Sequence, residues 1–262
     1  MVRVSPSLLD EYASRSRVVA KAVSVLEEDP EVSALLRMSN IMAVSRLGYN
    51  DHGPVHAKIV AGVALELFER LLRAGVRPTS LHDRTAKSLD EVRVLLVFAS
   101  YLHDVGNSIH RDRHELLGAL IAKDIVDKLL PKVLGRLDER LFMLRSEILH
   151  AIHATAYDVR CLTVEAGIVK VADGLDMSEG RARIPYERGK IDMHSVSALS
   201  IKEVNIVEGE KRPVRIIVNA DDMAGLFQIE NVLLPKIRSS GLDGYFEVAV
   251  YSHDKLLITY PR

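Results

Sequence analysis

From about Pro6 to Arg188 the apolar residues return every three or four positions, and that period governs what most of the chain can become. Val60, Val63, Ala64, Leu67 and Leu71 form one such stripe; Val92, Leu95, Leu96 and Leu102, with Ser100 among them, form another. A period near 3.6 gathers apolar side chains on one helical face, so the region predicts an all-helical domain. Breaks are expected at Asp29-Pro30, Asn50 to Pro54, Gly75 to Leu81, Gly106-Asn107 and Leu130-Pro131, where turn residues or a missing backbone donor interrupt a helix. About seven helices fit between them.

After about Gly189 the period changes. Leu199 to Val207 and Val214 to Val218 alternate or are β-branched, with Glu208 to Arg212 as the turn of a hairpin. Asp221 to Ile237 reads as one amphipathic helix with acids at its positive end, closed by Gly241 and Gly244. Tyr245 to Tyr251 and Leu256 to Tyr260 read as a second hairpin. The order β-β-α-β-β predicts a small four-stranded antiparallel sheet with one helix on a face. The chain is thus expected to be mainly α, with a helical domain over residues 1–189 and a small α+β domain over residues 190–262. The sheet has two edges, which allow a homodimer to form through it.

With 48% hydrophobic residues in 262, the chain has ample material for a buried core. Lys plus Arg (35) nearly cancels Asp plus Glu (36), so the overall field favours neither nucleic acid nor anionic lipid as a partner. No apolar run approaches the roughly 18 residues of a membrane span. The N-terminus lacks the pattern of a secretory signal, and the lone Cys161 has no partner for an internal disulfide and sits on an apolar helix as a core residue. A cytoplasmic protein is expected. The single glutamine, Gln228, beside many charges leans toward a heat-adapted source.

Eight of the ten histidines lie between His52 and His153. A metal needs several imidazoles and a carboxylate converging on one point, so the question is which of them share a location. His103 and Asp104 end the very apolar segment Val92 to Leu102, where a histidine and an acid are costly unless paired or metal-bound. His82-Asp83 and His253-Asp254 repeat the dipeptide in a polar linker and a hairpin turn, and read as solvated. His150 and His153 share one helix face, which suits either a metal pair or an ordinary amphipathic helix. Asp173 follows the apolar run Val169 to Ala172 and reads as inward, Asp176 as a surface or capping acid.

Taken together, these residues resemble the HD-domain superfamily: a first histidine on one helix, a His-Asp pair on the next, further histidines and a late aspartate. Here they are His56, His103-Asp104 and Asp173, and the resemblance covers roughly Asn40 to Tyr186. It implies an HD-type helical bundle, of a prokaryotic and archaeal kind with an added C-terminal module. It also implies that His56, His103, Asp104 and Asp173 surround one divalent ion, with His114 and either His150 or His153 completing a second site that Asp104 bridges. Manganese, iron, cobalt, nickel and zinc all suit such ligands. His52 competes with His56 for the first position, but Gly53-Pro54 places it in a loop, as a substrate contact.

The activity so implied is hydrolysis of a phosphate ester, of a nucleotide or small phosphorylated metabolite, by a metal-activated water. His110 or His52 is positioned to protonate the leaving group. Arg111, Arg113, Arg181, Arg183, Arg188 and Lys190 flank the signatures; of these Arg181, Arg183 and Arg111 are the expected phosphate contacts. Asn107 stands where the cyclic-dinucleotide branch usually has lysine, and Ala154 to Tyr157 replaces its Gly-Tyr-Pro element, which argues against that branch. The same ligands suit a diiron oxygenase, and a structural metal in a regulatory or scaffolding protein is a further alternative.

Overall fold

Capping residues set where the helices begin. In the computed structural model, which describes residues 1–135, 138–177, 197 and 199–261, Asp29 accepts the Glu31 and Val32 amides at the start of a helix whose first residue is Pro30. Ser88, Asp138 and Thr163 accept the amides of Glu91, Leu141 and Ala166 in the same way. Each cap satisfies one of the donors that a helix start leaves orphaned. The helices are α1 (Ser7–Arg15), α2 (Arg17–Glu27), α3 (Pro30–Asn40), α4 (Pro54–Arg73), α5 (Thr79–His82), α6 (Leu89–Leu102), α7 (His114–Leu134), α8 (Glu139–His153) and α9 (Val164–Leu175). Among the described residues none is long and apolar enough to cross a membrane.

α4 and α6 form the centre. α4 packs against α1, α6 and α9, and α6 against α2 and α8. Val92 and Val94 to Leu102 are buried all round, and Phe68, Phe98 and Tyr101 fill the space between helices. Fully burying such side chains is worth about 1.5–3 kcal/mol each, so this pair holds its neighbours firmly. The expected breaks appear, with one correction. Pro131 lies inside α7, which runs one turn further and stops at Gly135, at φ 102. Pro131 has no N–H to bond the Asp127 carbonyl, and the helix ends within a turn of it.

The sheet has five strands in the order β1 (Val2–Arg3), β2 (Ile201–Glu208), β3 (Val214–Ala220), β4 (Phe246–Ser252) and β5 (Lys255–Tyr260). This corrects the four-stranded antiparallel expectation in two respects. The N-terminus returns to pair Val2 with Ile206 and Arg3 with Asn205, and β3 and β4 run parallel, Ile216 beside Val248 and Val218 beside Val250. A helix between two adjacent strands carries the chain back across one face, and that geometry makes the pair parallel. The crossover consists of α10 (Gly225–Gln228), a π-helical turn (Ile229–Leu233) and α11 (Leu234–Ser239), where one helix was expected over Asp221 to Ile237. β4 and β5 join through His253 and Asp254, both with positive φ, as a two-residue hairpin turn prefers. The boundary expected between residues 189 and 190 lies outside the described residues.

Two glycines of α9 let the crossover come close. A Cβ on Gly167 would stand 2.5 Å from the Ser240 carbonyl oxygen, and one on Gly174 would stand 3.0 Å from Cδ of Lys236. Spaced seven apart, they share one face of α9, and the Cys161 amide bonds the Ser239 carbonyl oxygen beside it (3.2 Å). α11 therefore lies directly on the helix that carries Asp173.

Candidate metal centre

His56 enters from the first turn of α4, His103 and Asp104 from the end of α6, and Asp173 from the last turn of α9. His56, His103 and Asp104 are buried, and their ligand atoms lie within 3.5 Å of one another. His56 Nε2 is 3.2 Å from His103 Nε2, 3.4 Å from Asp104 Oδ2 and 3.3 Å from Asp173 Oδ1. His103 Nε2 is 3.5 Å from Asp104 Oδ2 and 3.7 Å from Asp173 Oδ1.

The outer nitrogens decide what those inner atoms are. His56 Nδ1 lies 2.7 Å from Asp176 Oδ2, and His103 Nδ1 lies 2.7 Å from the Ser100 carbonyl oxygen. An ionised carboxylate and a carbonyl only accept, so each Nδ1 donates, and in the neutral ring Nε2 carries the lone pair. The Ser100 carbonyl is available because it lies among the last four of α6, beyond the reach of the helix's own donors. Two imidazole lone pairs and two carboxylate oxygens thus face one another. Such a set repels itself unless a cation lies between, and ligand atoms about 2.1 Å from one ion stand roughly 3.0–3.4 Å apart on neighbouring corners. The residues fit a divalent metal.

Asp104 has two sides. Oδ2 also meets His52 Nδ1 at 2.6 Å, while Oδ1 accepts from Asn107 Nδ2 (2.9 Å) and faces His114 Nε2 at 3.3 Å. Burial alone would raise this carboxyl; His52, by its charge and its hydrogen bond, outweighs that and holds it well below the usual carboxylate range. His114 reaches Asp104 because Gly106 lets α7 close in. A Cβ on Gly106 would stand 1.9 Å from the His114 carbonyl oxygen and 2.5 Å from the Gly118 amide nitrogen. Burial likewise pushes Asp173 up and is outweighed chiefly by the Lys236 ammonium, so that it too stays well below its ordinary value.

A cleft of about 360 Å³ opens onto these residues. Tyr49, His52, Arg111 and His114 form part of its wall, and Gln228, Asn231 and Lys236 of the crossover form another. Arg111 lies against Tyr49, 5.6 Å from the ring centroid, with Nη1 3.1 Å from His114 Nε2.

The structure gathers His52, His56, His103, Asp104, His114 and Asp173, and brings Arg111 to the rim. It does not bring in His110, which is exposed and accepts the Asp112 amide at 3.0 Å, nor Arg113, exposed at the start of α7. His150 and His153 belong to neither group of ligand atoms found among the described residues; His150 Nε2 accepts the Leu162 amide at 3.1 Å. Arg181, Arg183, Arg188 and Lys190 lie outside the described residues. His82 and Asp83 are exposed and paired with each other. Sequence reasoning missed two residues. Asp176 does cap α9, but its carboxylate is buried against His56 rather than on the surface. Lys236, in the C-terminal part, forms an ion pair with Asp173.

Residues 55–178 match the HD domain family model. An uncharacterized protein of Methanocaldococcus jannaschii is 45% identical over 227 residues, spanning 87% of this chain and 86% of that protein. No solved structure matches. With the His, His-Asp and Asp signatures converging inside the matched span, the chain belongs to the HD-domain family, of the metal-dependent hydrolase superfamily.

Proposed function

We propose that the protein is a metal-dependent phosphohydrolase that cleaves a phosphate ester of a small substrate. The observation that carries this reading is the meeting of His56 Nε2 and His103 Nε2, 3.2 Å apart, with Asp104 Oδ2 and Asp173 Oδ1, 3.3 to 3.7 Å from them, beside a cleft that the two aspartates line. His56 Nε2, His103 Nε2, Asp104 Oδ2 and Asp173 Oδ1 would hold a first-row divalent ion. When bound, such an ion lowers the pKa of coordinated water and offsets negative charge on a phosphoryl group.

The rest is the work of this chain's own side chains. Asp176 and the Ser100 carbonyl fix the two rings so that Nε2 presents its lone pair inward. Asn107 and His52 hold the Asp104 carboxylate from opposite sides. Arg111, at the rim, donates to a phosphoryl oxygen of the substrate. His52, on the cleft wall with Nδ1 committed to Asp104, would as the imidazolium hand its Nε2 proton to the departing alkoxide and be left neutral. A cleft of about 360 Å³ is at the small end of ligand sites and favours a nucleotide or phosphorylated metabolite over a polymer.

The test is release of inorganic phosphate from a panel of nucleotides and sugar phosphates, with manganese, iron, cobalt, nickel or zinc supplied. Turnover that requires an ion and vanishes in His103→Ala is expected. A loaded protein that releases no phosphate from any of them would overturn the reading.

A further inference from the structure

Lys236 is a buried ammonium on α11, in the module that follows the helical region. Its Nζ pairs with Asp173 Oδ2, while the other oxygen of that carboxylate faces His56 and His103. It also lies 3.5 Å from the Thr155 carbonyl oxygen and 5.0 Å from the centroid of the Tyr157 ring. Burying an ammonium is costly before it is paired, and a helix that only needed to pack on α9 would do as well with an apolar residue. The glycine at 174 makes the approach of its stem possible.

We propose that the C-terminal module completes the catalytic cleft, and that Lys236 is the residue by which it binds the phosphoryl group of the substrate. An ammonium carries three donors. Among the described residues Nζ meets two acceptors, on Asp173 and Thr155, and Lys236 lines the cleft. Asp173 Oδ1 would hold the ion, and a carboxylate shared in that way would grip the ammonium less tightly, so that Lys236 Nζ can take an incoming phosphoryl oxygen. Arg111 lies on the α7 side of the cleft and Lys236 on the α11 side, so a phosphoryl group over the metal floor meets a cation from each. Asn231, from the same crossover, lines the cleft as a neutral hydrogen-bonding group for the remainder of the substrate.

This inference rests on the phosphohydrolase reading, and binding of inorganic phosphate, the product, separates the two. Metal-loaded wild type, Lys236→Met and Lys236→Gln are titrated with phosphate by calorimetry, after metal content and melting temperature have been compared. Both variants are expected to keep the ion and to bind phosphate at least tenfold more weakly, and Lys236→Arg to recover most of the affinity. Phosphate binding within twofold of wild type in Lys236→Gln would overturn the assignment. So would loss of the ion from both variants, which would make Lys236 a support of Asp173 alone. A loaded wild type that binds no phosphate would instead overturn the phosphohydrolase reading itself.

Discussion

His56 Nδ1 lies 2.7 Å from Asp176 Oδ2, a carboxylate 120 residues further along the chain. The pair fixes the orientation and tautomer of a ring whose other nitrogen faces His103, Asp104 and Asp173.

Asp176→Asn is therefore expected to weaken metal binding by about 10–100-fold, the usual effect of losing a partner behind a ligating histidine. The asparagine keeps shape and an acceptor oxygen but removes the charge that makes the ring more basic. Competition with a chelator of known affinity measures the change; an affinity within twofold of wild type would show that Asp176 has no such role.

Gly106→Ala places a methyl group where the His114 carbonyl oxygen already lies. Overpacking of this kind costs about 1–3 kcal/mol, and here backbone must move. The expected result is a lower urea midpoint, read by circular dichroism, together with displacement of His114 from Asp104. An unchanged midpoint would mean that α7 does not pack this closely.

Arg111→Met is expected to weaken inorganic phosphate binding on the order of tenfold while leaving the ion in place, since a charge-assisted hydrogen bond is worth about 1.5–3 kcal/mol. Calorimetry on the loaded variant reads this directly, and undiminished affinity would remove Arg111 from the substrate site.

Asp29 tests the scaffold away from the site. Burial raises its carboxyl, but Lys128 and the amides of Val32 and Glu31 outweigh that and hold it below the ordinary value. A folded pKa below the unfolded one gives stability that is present above the unfolded pKa, near 3.8, and is lost as pH falls through the lower folded value. Asp29→Ala should cost about 1 kcal/mol near neutrality, the typical worth of such a cap. Denaturation measured at pH 7 and below pH 4 should show that difference shrinking in acid.

The sequence made the helical region legible because a 3.6-residue period survives burial. It made the metal cluster legible because His103-Asp104 closes so apolar a helix, leaving a polar pair with nowhere to go but inward. Asp176 was not legible: an acid at a helix end looks the same whether it caps, meets water or supports a histidine from a distant helix. Lys236 was hidden for a related reason, since its importance comes from Gly167 and Gly174 letting a second element approach, and no local pattern states which element that is. The two-residue strand Val2–Arg3 is too short to carry a period, and the parallel pairing of β3 and β4 depends on where the crossover helix lands.

The central claim is that His56, His103, Asp104 and Asp173 hold one ion together. Elemental analysis of the purified protein beside His103→Ala and Asp104→Ala tests it most directly. Wild type should carry a divalent transition metal in a fixed ratio to chain, and both variants, with unchanged circular dichroism, should lose it. Folded variants that keep the full metal content would contradict the claim.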